Sequence, residues 1–262
     1  MAKHLLRVLV LVYLLFLLVI PVGLIAWRTF ADGLGPVIEA LTSDEAIHAV
    51  QVTLTIAAWA VVGNTIFGVG TAVLLVRHDF PGKRLLNALV DLPVAVSPVI
   101  AGLALILVYG RFAPVGGWLE RNGIQVIFSL PGMVLATIFV SLPLVVRAVA
   151  PVLEELGEEQ EQAAHTLGAT RWQTFRRITI PGIRWALAYG VVLCLARALG
   201  EYGAVAVVSG RIVGETQTLT LFVEDRFQNF DQPAAFAAAT LLALIAILSL
   251  LLTKLLRPKG ND

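Results

Sequence analysis

Asp91, Arg197 and Glu201 are charged side chains that fall inside long apolar runs of this 262-residue chain. A charge in such a setting is costly, so it is expected either to be paired or to serve a path for ions or substrate. Arg197 and Glu201 are four residues apart, which puts them on one face of a helix and within reach of each other. One reading is an ion pair that fixes helix packing; the other is that Arg197 borders a path for an anion. The packing role is the expectation, because buried ion pairs often set geometry more than affinity. Asp91 lies near one end of its run, where it could cap a neighbouring helix; its own negative charge argues against a role as an anion ligand.

Other chemistries are poorly served. His4, His48, His78 and His165 are scattered without metal-ligand spacing. The single cysteine, Cys194, excludes an intrachain disulfide and a multi-thiolate metal site, and its apolar surroundings suit a buried, inert thiol. There is no Gly-x-x-x-x-Gly-Lys-Ser/Thr phosphate loop, since the Gly68-Val69-Gly70 triplet sits inside an apolar run. No nucleophile stands beside a base. The expectation is a chain that is not itself an enzyme, with no metal site and no cofactor of its own.

The elements that position these groups follow from composition. Hydrophobic residues make up 58% of the chain and charged residues only 14%, against about a quarter charged in soluble domains. A net charge of +1 gives no field that would favour nucleic acid. About 20 apolar residues cross a bilayer as a helix. Six runs qualify, approximately at 8–26, 50–76, 85–110, 124–146, 185–208 and 234–253. Runs this long are helices rather than barrel strands, which are near ten residues and alternate. The basic front of the first run resembles a signal peptide, but the run is too long and no small-x-small cleavage site follows, so it is expected to stay as an anchor. Pro93 and Pro98 are expected to break the third run, and Pro131 and Pro143 the fourth. Gly63, Gly68 and Gly70 form a small-residue face suited to helix contact.

Of the 19 lysines and arginines, Arg28, Arg111, Arg121, Arg211 and Arg226 fall on one set of connections and Arg197 within a run. The rest, Arg257 and Lys259 among them, fall on the other set and on the terminal segments. Basic residues collect on the cytoplasmic side, so six spans with both termini cytoplasmic are expected.

The longest cytoplasmic connection, 147–184, reads as two short amphipathic helices. Pro151 and the run Glu154, Glu155, Glu158 and Glu159 suit a helix start. Leu156, Gln160, Ala163 and Leu167 share a face, and Gly168 supplies the stop. Thr170 with Gln173 has capping-box spacing for the second helix, on which Trp172, Phe175 and Ile178 recur. Pro181 and Gly182 are expected to end it before the fifth span. Such a hairpin lies on the membrane surface or docks a cytoplasmic partner. The small residues Ala163, Ala164 and Gly168 favour docking.

This segment resembles the EAA loop of ABC importer permease subunits: Glu-Ala-Ala, three residues, Gly, nine residues, Ile, one residue, Leu-Pro. Here Gln162-Ala163-Ala164 is followed by Gly168, Ile178 and Ile180-Pro181 at the same spacing. Gln162 replaces the glutamate and Ile180 the leucine, while Glu161 lies next door, turned about 100° around the helix. DLPVAVSPVIAGLAL and RALGEYGAVAVVSGRIVGETQTLTLFVE are similar to stretches of the sulfate/thiosulfate importer permeases, and less closely of the molybdate permeases. The resemblance covers roughly residues 50 to 255. It implies an all-α integral membrane protein with the type I ABC importer permease fold. It implies partners too: a homologous permease in a heterodimer, two ATPase subunits that bind ATP and Mg, an extracytoplasmic sulfate-binding protein, and the lipid of a bacterial cytoplasmic membrane. ATPase coupling would fall to Gln162, Ala163, Ala164, Gly168, Ile178 and Pro181. Asp91, Pro93, Ser97, Pro98, Arg197, Glu201 and Ser209 are the candidate pathway or bundle-internal groups. An ion-coupled secondary transporter is the alternative of a different class; no internal repeat favours it.

Overall fold

In a computed structural model, which describes residues 2–256, the described residues are all helical or in turns, with no strand. Arg257 and Lys259 lie outside them. The elements are α1 (His4–Phe30), α2 (Leu34–Thr42), α3 (Asp44–Arg77), α4 (Lys83–Ala95), α5 (Pro98–Tyr109), α6 (Pro114–Arg121), α7 (Leu130–Leu156), α8 (Glu159–Thr166), α9 (Arg171–Leu199), α10 (Val205–Val208), α11 (Leu219–Gln228) and α12 (Gln232–Leu256). Five helices are long and apolar enough to cross a membrane, and the pair α4 and α5 makes a sixth if taken as one bent span.

α7 is the centre of the molecule, packed against α3 on one side and α9 on another. Two apolar cores lie along it. At the end carrying α10, Met133, Ala136 and Val140 meet Val52 and Ile56 of α3 and Val205 and Val208 of α10. At the end carrying α8, Val145, Val149 and Leu153 meet Val69, Ala72 and Leu75 of α3 and Ile183 of α9. Glycines bring the backbones close. A Cβ on Gly63 would stand 2.9 Å from the Ile138 side chain, and one on Gly68 2.9 Å from that of Val145. Gly70 has open space around it, so the close approach belongs to the other two.

Proline acts differently at different places. Both π turns of the chain's described residues, Leu15–Val19 in α1 and Phe175–Thr179 in α9, stand just ahead of an Ile-Pro pair, Ile20-Pro21 and Ile180-Pro181. The Ile20 N–H donates to Leu15 O and the Ile180 N–H to Phe175 O, one residue further back than in an α-helix. The wider turn relieves the collision between a proline ring and the carbonyl four residues earlier. Hence Pro181 and Gly182, expected to end the second short helix, do not; α9 runs through them from Arg171 into the fifth span. Pro143 and Pro151 lie inside α7 without breaking it, in a stretch where Val145, Val146, Val149 and Leu153 are fully buried and packed into one core. Pro131 sits in the first turn, so it starts α7 rather than breaking it, and the 124–129 stretch is a turn. Pro151 is likewise no helix start: α8 begins at Glu159, after Gly157 turns the chain at φ 62°.

The third run is broken at Pro98, as expected, but not at Pro93. α4 and α5 meet at a bend of 116°. The break falls at Val96 and Ser97, directly before Pro98, where a residue preceding proline avoids the helical region; Ser97 has ψ 136°. Pro93 stays within α4 and is buried there.

Candidate coupling segment and the polar groups of the spans

The 157–182 segment is built by local signals. α8 ends in a Schellman turn: the Gly168 N–H donates to His165 O at 3.0 Å and the Ala169 N–H to Ala164 O at 3.0 Å. Gly168 has φ +87°, and a Cβ there would meet nothing within 4 Å. Glycine is needed for the backbone angle and not for space. α9 then starts with a complete capping box, in which the Thr170 N–H donates to Gln173 Oε1 at 2.8 Å and the Gln173 N–H to Thr170 Oγ1 at 3.3 Å.

The surface this turn presents is apolar at its tip. Leu167 is 89% exposed and Trp172 67%, the latter stacked on Phe175 with ring centres 5.7 Å apart. Gln162 and Ala163 are exposed on the same helix, with Gln162 Nε2 donating to Glu158 Oε2 at 3.3 Å; Ala164 is half-buried. Ile178 is half-buried in the π turn and Pro181 is exposed. Leu156 ends α7, so the single face of Leu156, Gln160, Ala163 and Leu167 is divided between two helices.

Glu161 is the residue that sequence reasoning passed over. Its turn of about 100° from the motif position points it inward. Arg77 Nε meets Glu161 Oε2 at 3.0 Å, while Thr179 Oγ1 donates to Glu161 Oε1 at 2.7 Å. The same guanidinium donates from Nη1 to Leu153 O at 2.9 Å and from Nη2 to Gly157 O at 2.7 Å. An arginine at the end of an apolar run and a glutamate beside a docking motif were the available signals, but nothing in their spacing joined them.

The polar groups of the spans are mostly held by one another. Asp91 makes no helix cap; it lies within α4 and takes two bonds from Arg147 of α7, Nε to Oδ1 at 2.8 Å and Nη2 to Oδ2 at 2.6 Å. Fork-to-carboxylate pairing of this kind fixes two helices in register. Arg197 Nη1 stands 2.7 Å from Glu201 Oε2, with the arginine side chain 39% exposed and the glutamate 1%. They are not two residues of one helix face, because α9 ends at Leu199; Glu201 lies in the following turn and its Oε1 accepts the Ala204 N–H at 2.9 Å, capping α10. Ser209 is buried, donating to Thr216 O at 2.6 Å and accepting the Arg211 N–H at 3.0 Å, so it closes the loop after α10. Ser97 is exposed at the α4–α5 break with no side-chain cap bond. The two broken regions touch: a Cβ on Gly203 would lie 3.0 Å from Pro98 Cβ. Cys194 is buried, and Asn64 Nδ2 donates to Ser141 Oγ at 2.8 Å and to its Sγ at 3.4 Å. Among the described residues no three His, Cys, Asp or Glu side chains converge as metal ligands.

Residues 64–260 match the family described as "Binding-protein-dependent transport system inner membrane component". The chain belongs to this family. It is a multi-pass membrane permease subunit, a transport component rather than an enzyme in its own right. The permease is 49% identical to the "Sulfate transport system permease protein CysW" of Synechocystis sp., over 98% of this chain and 93% of that one. It is 49% identical to the CysW protein of Escherichia coli (strain K12), over 92% and 83%. Against the "Sulfate transport system permease protein CysT" of the same strain it is 43% identical, over 81% and 76%. Its fold is that of a chain in the crystal structure of "a bacterial ABC transporter involved in the import of the acidic polysaccharide alginate", with TM-score 0.80, 19% identity, and coverage of 97% of this chain and 93% of that one. The expected type I importer permease fold is thus the one observed.

Proposed function

We propose that this permease is one of two homologous membrane subunits of an ATP-driven importer for sulfate or thiosulfate in a bacterial cytoplasmic membrane. The other permease is CysT-like, two ATPase subunits bind ATP and Mg on the cytoplasmic side, and an extracytoplasmic sulfate-binding protein delivers the anion. The bias of Lys and Arg supports both termini in the cytoplasm, which puts the 157–182 segment on the ATPase side. The observation that carries the reading is the tip of that segment: Leu167 and Trp172 stand out from a sharply turned helix pair, 89% and 67% exposed. Two large apolar side chains in water are a docking face waiting for cover. The names of the relatives, at close to half identity over nearly the whole chain, support sulfate as the cargo.

The test is reconstitution. The complex purified on a tagged copy of this chain, with its co-expressed neighbours, is placed in liposomes, and ATP hydrolysis and uptake are followed with binding protein loaded with sulfate, thiosulfate or molybdate. Sulfate-loaded protein is expected to stimulate both. Stimulation by molybdate alone would change the cargo, and uptake driven by an ion gradient without ATP would end the proposal.

A further inference from the structure

We propose that Arg77 and Glu161 form a clamp that fixes the angle of α8 against the bundle, making Arg77 a positioning residue for the coupling of ATP hydrolysis to transport. This rests on the reading of α8 as the ATPase contact. None of the residues of α8 is buried, so no apolar anchor holds the helix down. A helix of eight residues is not stable by itself. What holds it is polar. The Arg77 fork takes in the end of α3, the last turn of α7 through Leu153 O, the Gly157 turn, and Glu161 of α8. Glu161 passes the connection on to Thr179 in the π turn of α9. Four helices and the Gly157 turn therefore meet at one carboxylate and one guanidinium, whose side chains are 19% and 9% exposed.

The chemistry suits arginine alone. Three separate donors of a planar group reach three acceptors, two of them carbonyls at a helix end that α7 itself leaves unpaired. Lysine keeps the charge and three N–H donors, but they radiate from one nitrogen and do not match acceptors spread around the three nitrogens of a planar fork. The shift of the acid from the motif position at Gln162 to Glu161 is what turns it toward Arg77 and away from the docking surface. A force on α8 from a moving ATPase is then carried to α3, α7 and α9 together. Without the clamp α8 rocks on its two glycine turns, Gly157 and Gly168, and the same force is spent in the segment.

The test uses the purified complex carrying Arg77→Lys, Glu161→Gln or Thr179→Val. The first readout is hydrogen exchange of the amides of α8, which asks about the clamp whether or not sulfate is the cargo. Exchange is expected to quicken about tenfold in Arg77→Lys and Glu161→Gln and less in Thr179→Val. The second is ATP hydrolysed per anion imported, expected to rise about tenfold in the first two variants while the complex stays assembled. Unchanged exchange would overturn the clamp. Faster exchange with an unchanged ratio, or uptake lost only in proportion to assembled complex, would overturn its role in coupling. Thr179→Val removes one hydroxyl, so a folded protein remains for the test even where the charged variants are lost.

Discussion

α1 and α7 are both apolar enough to cross a bilayer, yet α7 has 56% of its most apolar stretch buried and α1 has none. Their sequences differ in one respect that accounts for this. From His4 to Val22 α1 is a run of large side chains with no glycine or alanine. α7 instead buries Gly132, Ala136, Ser141 and Ala150 among its larger residues, and it meets small residues on its neighbours, Gly68 of α3 against Val145 and Gly190 of α9, where a Cβ would stand 3.0 Å from Ala148 Cβ. Lipid tails are as apolar as leucine, so burial against another helix brings no hydrophobic gain; close contact does, and small residues permit it. α1 joins the rest near its far end, where Thr29 is buried and its hydroxyl lies 2.9 Å from Phe236 O and 2.7 Å from Thr240 Oγ1 of α12.

Filling the close approach is expected to have the largest effect. Gly68→Leu would drive a four-carbon side chain into Val145, and overpacking a core costs about 1 to 3 kcal/mol and occasionally more. The membrane level of the protein should collapse, and Gly68→Ala should lower its thermal midpoint. Gly70→Ala, in open space two residues away, is the control and should leave the membrane level unchanged and the midpoint level or slightly raised, since alanine is the better helix former. Equal effects at the two positions would show that close packing against α7 is not what holds α3.

A smaller effect is expected at the end of α9. Arg197→Gln leaves the buried Glu201 carboxylate without its cation, a loss of about 2 kcal/mol once the partial exposure of the arginine is allowed for. The amide oxygen introduced by Glu201→Gln could still accept the Ala204 N–H, so Arg197→Gln with Glu201→Gln should regain most of the lost expression and sulfate uptake. The two single variants and the double variant form a cycle whose coupling term reads the pair directly. Recovery of assembly without recovery of uptake would move Arg197 from packing into the path of the anion.

How much of this was legible depends on the range of the signal. The Gly168 turn and the Thr170 capping box are contacts within five residues, and their spacing stated them before any fold was known. The Ile-Pro pairs were visible too, but proline alone does not say whether a helix ends, bends or widens; neighbours decide, as buried Val145 and Val149 do around α7. The break of the third span at Pro98 was legible from the prolines, but not its angle of 116°, because composition is blind to angle and Pro93 five residues earlier leaves its helix intact. Arg77 with Glu161, and Asp91 with Arg147, join positions 84 and 56 apart in the chain. Pairing at such distance is a product of the packing of α3, α4 and α7, which no local pattern encodes.

The smallest effect is expected in the middle of α1, and it sharpens the comparison most. Phe16 is 68% exposed, with no residue of the π turn around it buried. Phe→Ala in a packed core costs about 3 to 5 kcal/mol, from lost transfer energy and from the cavity left behind. Neither term applies here. The phenyl ring and the lipid that replaces it are both apolar, and lipid chains flow into the space, so no cavity remains. Phe16→Ala should therefore shift the thermal midpoint of the purified chain by no more than a surface substitution does, within about 0.5 kcal/mol. Measured beside it, Met133→Ala in α7, where the side chain is fully buried, should cost about 2 to 5 kcal/mol. Comparable losses at the two sites would mean that protein and not lipid covers α1. If that loss appeared only in the assembled complex, the cover would come from a neighbouring subunit, and α1 would be unpacked only for as long as the chain is alone.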